Sequence, residues 1–433
     1  MTPDKAWSDD GFFLSGSNPT ATVDQRDMEA LALKVMDMPV VRRGIDNAAM
    51  RWKTIVGKEG TAETWARFDA QMLEEFAFGS VLKAVNSDPN YPKVLGHLYG
   101  PPHEWFGMKV PGCRSGGGDG PDQHYSIVPI DAYARYELHG QRFEPGVVDV
   151  PFALVADISV NMTLSMLAWR DVQIDSNGRF VITLDPRPAD GRSNHIQTKL
   201  ESRYLFIRDC RADWRQKPNG YRIKRLDPPT APPMTIDQIA ERAALFMNMD
   251  VSVMYWWMRT YGVREVNTFS DPVNAGPMGG CSLQRICFAK LDLPGDRACV
   301  VTFGSGGAAF RDIVLKDNFF RTFDYWNHTS NMNNAQGVPN PDGSTTYVIS
   351  IQDPGVHNWL DPVGFHELLV VHRWQGLPST PGPEGEPWVK SRWVSLDELD
   401  QALPPGTKRV TPRERERQLA ERLETFRLRY VDH

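Results

Sequence analysis

The chain has 433 residues, a formal net charge of −6, 41% hydrophobic and 24% charged residues, and 13 tryptophans. That length buries a sizeable core and points to two or three domains, and the ordinary composition excludes general disorder. Lys and Arg are scattered rather than gathered on one face, and the apolar runs are short, which argues against nucleic-acid binding and against a membrane span.

The opening Met1-Thr2-Pro3-Asp4-Lys5 lacks the apolar stretch of a signal peptide, so a cytoplasmic location is expected. Residues 1–115 read as a helical N-terminal region. Met28, Leu31, Leu33, Val35 and Met36 recur near helical spacing, and a second stretch runs from Thr61 to Val85 with Thr61, Glu63 and Thr64 at its start. Gly and Pro then dominate from Pro92 to Pro121. The run from Ser115 to Gly120 has no Lys-Ser/Thr after it, so it predicts a connector rather than a phosphate cradle.

Residues 120–230 predict a first β unit. Its strands include Tyr133 to Leu138, turning at His139-Gly140, then Phe180 to Leu184 and Tyr204 to Ile207. A Pro-rich stretch leads to Thr235, which caps a connecting helix within residues 231–265. Residues 266–380 predict a second β unit. Residues 381–433 supply a linker and a C-terminal helix opening on the capping box Thr411-Pro412-Arg413-Glu414, whose alternating Glu and Arg read as a solvated face. Five cysteines are too few for a disulfide framework; the six-residue spacing of Cys281 and Cys287 does not suit a zinc knuckle, and buried thiols are expected.

The two β units match. Gly178, Asn194 and Arg208 follow one another at sixteen and fourteen residues; Gly343, Asn358 and Arg373 do so at fifteen and fifteen. Asn177-Gly178 and Asp342-Gly343 predict tight hairpins with positive φ at both central positions. Asp185-Pro186 and Asp353-Pro354 fall between these points in each copy. The fold class follows: α+β, mainly β, a sandwich or jelly-roll-like body of two related β units with a helical N-terminal region, a middle helix and a C-terminal helix.

Several segments carry a resemblance. Asn331 to Gln336, Asp342-Gly343-Ser344, Asp353 to Asp361 and Arg373-Trp374, with the earlier Pro121 to Tyr125, Pro129 to Asp131 and Tyr136 to Gly140, resemble the bacterial domain-of-unknown-function family catalogued as 1214. The likeness spans about residues 120–380. It implies a β-sandwich-like fold and no particular reaction. His195 stands where the second copy has Trp359, so the two halves need not share a role.

The densest polar-aromatic cluster holds Arg321, Phe323, Tyr325, Trp326, Asn327, His328, Asn331, Asn333 and Asn334. On a regular strand Tyr325 would share a face with Asn327, and Trp326 with His328. Loop amides satisfying backbone groups are the competing reading. His357 and His328 are candidate proton-transfer groups, with Tyr325 to orient or protonate. Arg373 could clamp a carboxylate, Trp359 could stack on a ring, and Asn358, Asn331, Asn333, Arg321 and Trp256 complete the candidate binding set. His97 with His103, and His366 with His372, are six apart without a third ligand in view, so no metal and no organic cofactor is assigned.

The sequence thus predicts a cofactor-independent enzyme acting on an aromatic or hydrophobic small molecule, with or without a carboxylate, by acid–base chemistry, as a C–C or C–O lyase in aromatic catabolism. The alternatives are a carbohydrate- or hydrophobic-ligand-binding protein and a scaffold that forms homo-oligomers through its terminal helices.

Overall fold

The computed structural model of the chain describes residues 11–116, 118–160, 162–262, 265–276 and 284–430. Cys281 and Gly117 lie outside the described residues. Four helices come first: α1 (Val23–Met36), α2 (Pro39–Val56), α3 (Ala62–Arg67) and α4 (Ala70–Val85). The side chains of Thr22, Thr61 and Asp69 cap α1, α3 and α4 by accepting from backbone N–H groups that have no intrahelical partner.

The first β unit contains β1 (Leu95–Leu98), β2 (His103–Trp105), β3 (Met108–Val110), β4 (Gln123–Pro129), β5 (Tyr136–Gln141), β6 (Phe152–Val155), β7 (Thr163–Leu167), β8 (Arg179–Asp185), β9 (His195–Gln197), β10 (Tyr204–Cys210) and β11 (Gly220–Arg225). The long helix α5 (Ile236–Gly262) follows. The second unit contains β12 (Val273–Asn274), β13 (Arg285–Asp292), β14 (Arg297–Phe303), β15 (Phe310–Lys316), β16 (Asn331–Asn333), β17 (Thr345–Ile349), β18 (Trp359–Leu360), β19 (Glu367–Gln375) and β20 (Val389–Ser395). The chain ends with α6 (Leu399–Ala402) and α7 (Pro412–Arg427). No described helix is long and apolar enough to cross a membrane.

Each unit is a five-stranded sheet facing a four-stranded one. The orders are β1-β4-β10-β6-β7 with β11-β5-β8-β9, and β12-β13-β19-β15-β16 with β18-β17-β14-β20. From β4 to β11, adding nine to a strand number gives its counterpart in the second unit. Even the two parallel pairs correspond, β8 with β9 and β17 with β18. The body is therefore two related β units. Strand β20 lies beyond residue 380, in the stretch read as linker, yet it pairs with β14 along seven residues and completes the second sandwich.

The duplicated turn residues do the same work twice. Gly178 and Gly343 have φ of 80° and 82°, and each donates its N–H to a carbonyl three residues back, Asp175 and Asn340, at 3.0 Å. Only the glycine of each pair is left-handed; Asn177 and Asp342 are not, so these turns differ from the expected hairpin type. Asn194 grips the backbone of Gln173 through both amide atoms (2.7 and 2.8 Å), and Asn358 grips Val338 likewise (2.8 and 2.8 Å).

Between the facing sheets lie two separate apolar cores, one around Leu138, Phe152 and Ile207 and one around Phe303, Ile313 and Trp374. The helices form a third layer. Their apolar faces pack on the outer side of both five-stranded sheets, against Ile127 and Phe206 of one unit and Phe288 and Val371 of the other. Burial of this kind contributes about 25 cal/mol per Å² of apolar surface, so the helical layer helps to hold the two sandwiches together. Cys113, Cys210, Cys287 and Cys299 are buried thiols.

His139 and Gly140 lie within β5 rather than in a turn. The ring of Phe180 lies directly over Gly140, where a Cβ would come within 2.1 Å of it. Gly140→Ala is expected to cost about 1–3 kcal/mol by overpacking, read as an earlier urea midpoint at unchanged slope. A wild-type midpoint would show that the ring swings aside freely.

Candidate functional site

The C-terminal helix is not a solvated face. Arg415, Arg422 and Arg429, seven residues apart, fall on one side and are all buried. Arg415 pairs with Asp353 and donates to the carbonyls of Val356 and His357. Arg422 donates to the carbonyl of Tyr325 and to Asn331 Oδ1. Arg429, just past α7, donates to the carbonyl of Pro121 at 2.6 Å.

Asp122, fully buried before β4, sits at the centre of this junction. Its Oδ1 accepts from Trp214 Nε1 (2.6 Å) and Asn333 Nδ2 (2.8 Å), and its Oδ2 from Asn331 Nδ2 (2.7 Å). Its charge acts on two guanidiniums, Arg211 and Arg422, and a third, Arg429, adds its own charge to both. Arg211, Arg422 and Arg429 are 4%, 5% and 8% exposed, and among the described residues none forms a carboxylate salt bridge. Arg422 and Arg429 also stand 4.4 and 4.5 Å from the ring centroid of Trp214. Burial, then the charge of Arg429, pushes Arg211 down to about 9. Burial does the same to Arg422, also to about 9, against the opposing pull of Asp122. Among the described residues the Nε atoms of Arg211 and Arg429 have no hydrogen-bond partner.

Beside these charges lies a cavity of about 150 Å³. Arg211 and Arg429 line it, with His97, His124, Gln123 and Tyr125 from the edge of the first five-stranded sheet, Trp214, Tyr325 of the second unit, and Tyr430. The rings of His97 and His124 meet edge to face at 4.6 Å. Tyr430 stacks on His103 at 4.3 Å and closes that end. His97 and Tyr99 have φ of 53° and 65°, a left-handed backbone that costs about 1–3 kcal/mol per non-glycine residue and gathers at functional sites.

Neither ring nitrogen of His124 has a protein partner among the described residues. Burial, then Arg211 and Arg429, lowers it to about 3, so it is a neutral imidazole at pH 7. His97 is lowered for the same reasons, with its histidine neighbours adding to the effect. Burial pushes the Tyr325 phenol up to about 12. The arrangement is an aromatic-walled pocket with two buried cations, two neutral imidazoles and protonated phenols.

Of the residues singled out from the sequence, Tyr325 lines this cavity. Residues 323–328 form turns rather than a strand. Asn331 and Asn333 commit their amides to Asp122, behind the cavity wall. Arg373 pairs with Asp312 at 2.9 Å, both buried, and its charge reaches the cavity residue Tyr125 from behind. Asn358 clamps backbone, and Trp359 is buried with Nε1 on the carbonyl of Ser350 at 2.9 Å. Arg321 joins a buried ion network with Asp317, Asp69 and Glu75. Trp256 is 46% exposed on α5.

His357 lines a separate cavity of about 110 Å³ on the far side of Trp214, and its Nε2 faces the carbonyl of Gln336 at 3.1 Å. Burial lowers its pKa. His328 Nδ1 pairs with Asp361 at 2.8 Å. His103 lies 5.8 Å from His97, ring to ring, but among the described residues no three His, Cys, Asp or Glu are placed to hold a metal.

The comparisons with known proteins bear on fold alone. No protein-family model matches the chain, and no curated protein matches it significantly. A solved structure of an uncharacterized protein from Burkholderia cenocepacia is similar over 85% of this chain and 100% of its own, with a TM-score of 0.68 and 21% identity. The fold is a shared one. The VPA0106 protein from Vibrio parahaemolyticus aligns over 64% of this chain and 90% of its own, with a TM-score of 0.38 and 11% identity.

Asp361 raises the pKa of His328 above the usual 6.5, chiefly through their hydrogen bond. A raised folded-state pKa stabilises the fold fully below the unfolded value and is lost as pH rises through the folded one. His328→Gln is therefore expected to destabilise more at about pH 5.5 than at about pH 8.5, measured by urea unfolding. An equal loss at both would remove the charge from the account.

Proposed function

We propose that the chain is an enzyme acting on a small, aromatic or hydrophobic carboxylated molecule held in the Arg211–Arg429 cavity, by acid–base chemistry of the lyase type. One observation supports this above the rest: three buried guanidiniums act on one another without a carboxylate salt bridge among the described residues, and two of them line an aromatic-walled cavity. A buried cation without a counter-ion costs several kcal/mol. A bound carboxylate would supply the missing charge, and the planar guanidinium can grip it with two parallel hydrogen bonds.

Elimination beside a carboxylate needs a clamp for the charge that develops as a proton leaves carbon, a base to take that proton, and an acid for the leaving group. Arg211 and Arg429 fit the clamp. His97 and His124 fit the base, in place of His328 and His357. A bound anion offsets the two arginines and so raises the basicity of both imidazoles. Tyr325, still protonated at pH 7, fits the acid. Asp122 and the cavity residues Gln123, His124 and Tyr125 all belong to the Pro121–Tyr125 segment that carries the resemblance to the family catalogued as 1214. The buried thiols of Cys113 and Cys299 are in keeping with a cytoplasmic setting.

Benzoate is a suitable probe. Arg211→Met is expected to weaken its binding by at least about tenfold, or 1.4 kcal/mol, in titration calorimetry. The same change should leave the thermal midpoint equal or higher, because an uncompensated buried charge has gone. Undiminished binding would overturn the clamp. Tight binding of carboxylated aromatics with no product by mass spectrometry would leave a binding protein instead.

A further inference from the structure

Asn18, Thr20 and His97 form a chain of hydrogen bonds at the cavity wall. Asn18 Nδ2 donates to the carbonyl of Arg429 at 2.9 Å. That fixes the amide, so Asn18 Oδ1 is the acceptor for the Thr20 hydroxyl at 2.7 Å and for the Thr20 N–H at 3.1 Å. A hydroxyl has one proton to give. With it used, Thr20 Oγ1 can only accept from His97 Nε2, 3.0 Å away. The tautomer follows: Nε2 carries the hydrogen and Nδ1 carries the lone pair. His124, with no such partner, has no fixed tautomer.

We propose that His97 is the base of the cavity, accepting the substrate's proton at Nδ1, and that Thr20 and Asn18 are positioning residues that fix its tautomer and tie it to the C-terminal segment. This rests on the reading that the cavity binds a small carboxylate. In the step, the Nδ1 lone pair takes the proton and the C–H electron pair stays on the carboxylate-bearing carbon, facing Arg211 and Arg429. The resulting imidazolium keeps its Nε2 bond to Thr20.

The groups around His97 are His124, His103 and Tyr430 at 4.6, 5.8 and 5.3 Å between ring centroids, with Arg211 and Arg429 across the cavity. Glu29, 3.4 Å from His103, is the nearby carboxylate, and Gln25 and Trp105 already donate to it. Without ligand these cations and burial hold His97 neutral. An anion between the arginines offsets part of their effect and raises the basicity of Nδ1, while burial, the largest cause, keeps the ring neutral and ready for the substrate's proton.

The test uses the full chain labelled with nitrogen-15 in histidine, with benzoate as probe. The ring shifts of His97 are expected to show Nε2 protonated and Nδ1 bare in the wild type and in Thr20→Ser, and a mixture in Thr20→Val. Calorimetry in two buffers of different ionisation heat is expected to show benzoate binding to the wild type, Thr20→Ser and Thr20→Val with little proton uptake, as a base left free for the substrate's proton requires. A protonated Nδ1 in the wild type, full proton uptake with benzoate, or an unmixed tautomer in Thr20→Val would overturn the assignment. Absence of benzoate binding in the wild type would sink the cavity reading instead, while the ring shifts still decide the relay.

Discussion

The carboxylate of Asp122 is the constraint on which the rest of the structure depends. It is fully buried, and its three donors come from both sandwiches: Trp214 beyond β10, and Asn331 and Asn333 on β16 of the other. A buried ionised group is tolerable only when its lone pairs are satisfied and its charge is met. Satisfying this one forces the end of the first unit, the edge of the second and the C-terminal helix to converge on one spot. Arg422, which bonds Asn331 and the Tyr325 carbonyl, shows how tightly the helix is drawn in. The cavity is the space left beside that convergence.

Duplication supplied the frame and divergence supplied the site. Asn194 and Asn358 make the same backbone clamp in the two halves, so the shared residues are there for folding. The residues that differ are the ones with other work. His195 Nδ1 meets Thr183 Oγ1 at 2.8 Å on the first unit, whereas Trp359 packs with Val356 and Leu399 on the second. Neither faces the cavity. The cavity takes His97, His124 and Tyr125 from the first unit's edge and Tyr325 from a loop of the second, so neither repeat contains it alone.

That division explains what could be read from the sequence. Alternating strands, turn glycines and the matched Asn and Arg positions are local or periodic signals, and they carried the two-unit fold, as capping residues did the starts of α3, α5 and α7. The pairing of β20 with β14 gave no such signal, because an exposed strand such as Val389–Ser395 has little apolar alternation. The candidate residues clustered where Asn, His and Trp are dense, and most of these proved to be structural, Asn358 and Asn333 clearly so. The cavity residues lay in plainer places. His124 and Tyr125 sit inside the Pro121–Tyr125 segment, and Arg415, Arg422 and Arg429 mark one helix face by their seven-residue spacing. That spacing was a usable signal, hidden by the interleaved Glu residues that make the helix look solvated.

A fold that only needed to be stable would not bury three mutually repelling guanidiniums, Arg211, Arg422 and Arg429, side by side. A second carboxylate, or an apolar residue in place of Arg211, would remove an uncompensated charge and gain stability. The surplus persists next to strained backbone at His97 and Tyr99 and beside an imidazole without a partner, all within one cavity. Each feature alone is a cost with several explanations. Together they are costs that a single small anion would offset, because it meets the arginines, raises the basicity of the imidazoles and fills the space between the aromatic walls. The balance then reads as a site organised for a charge that the protein itself does not carry.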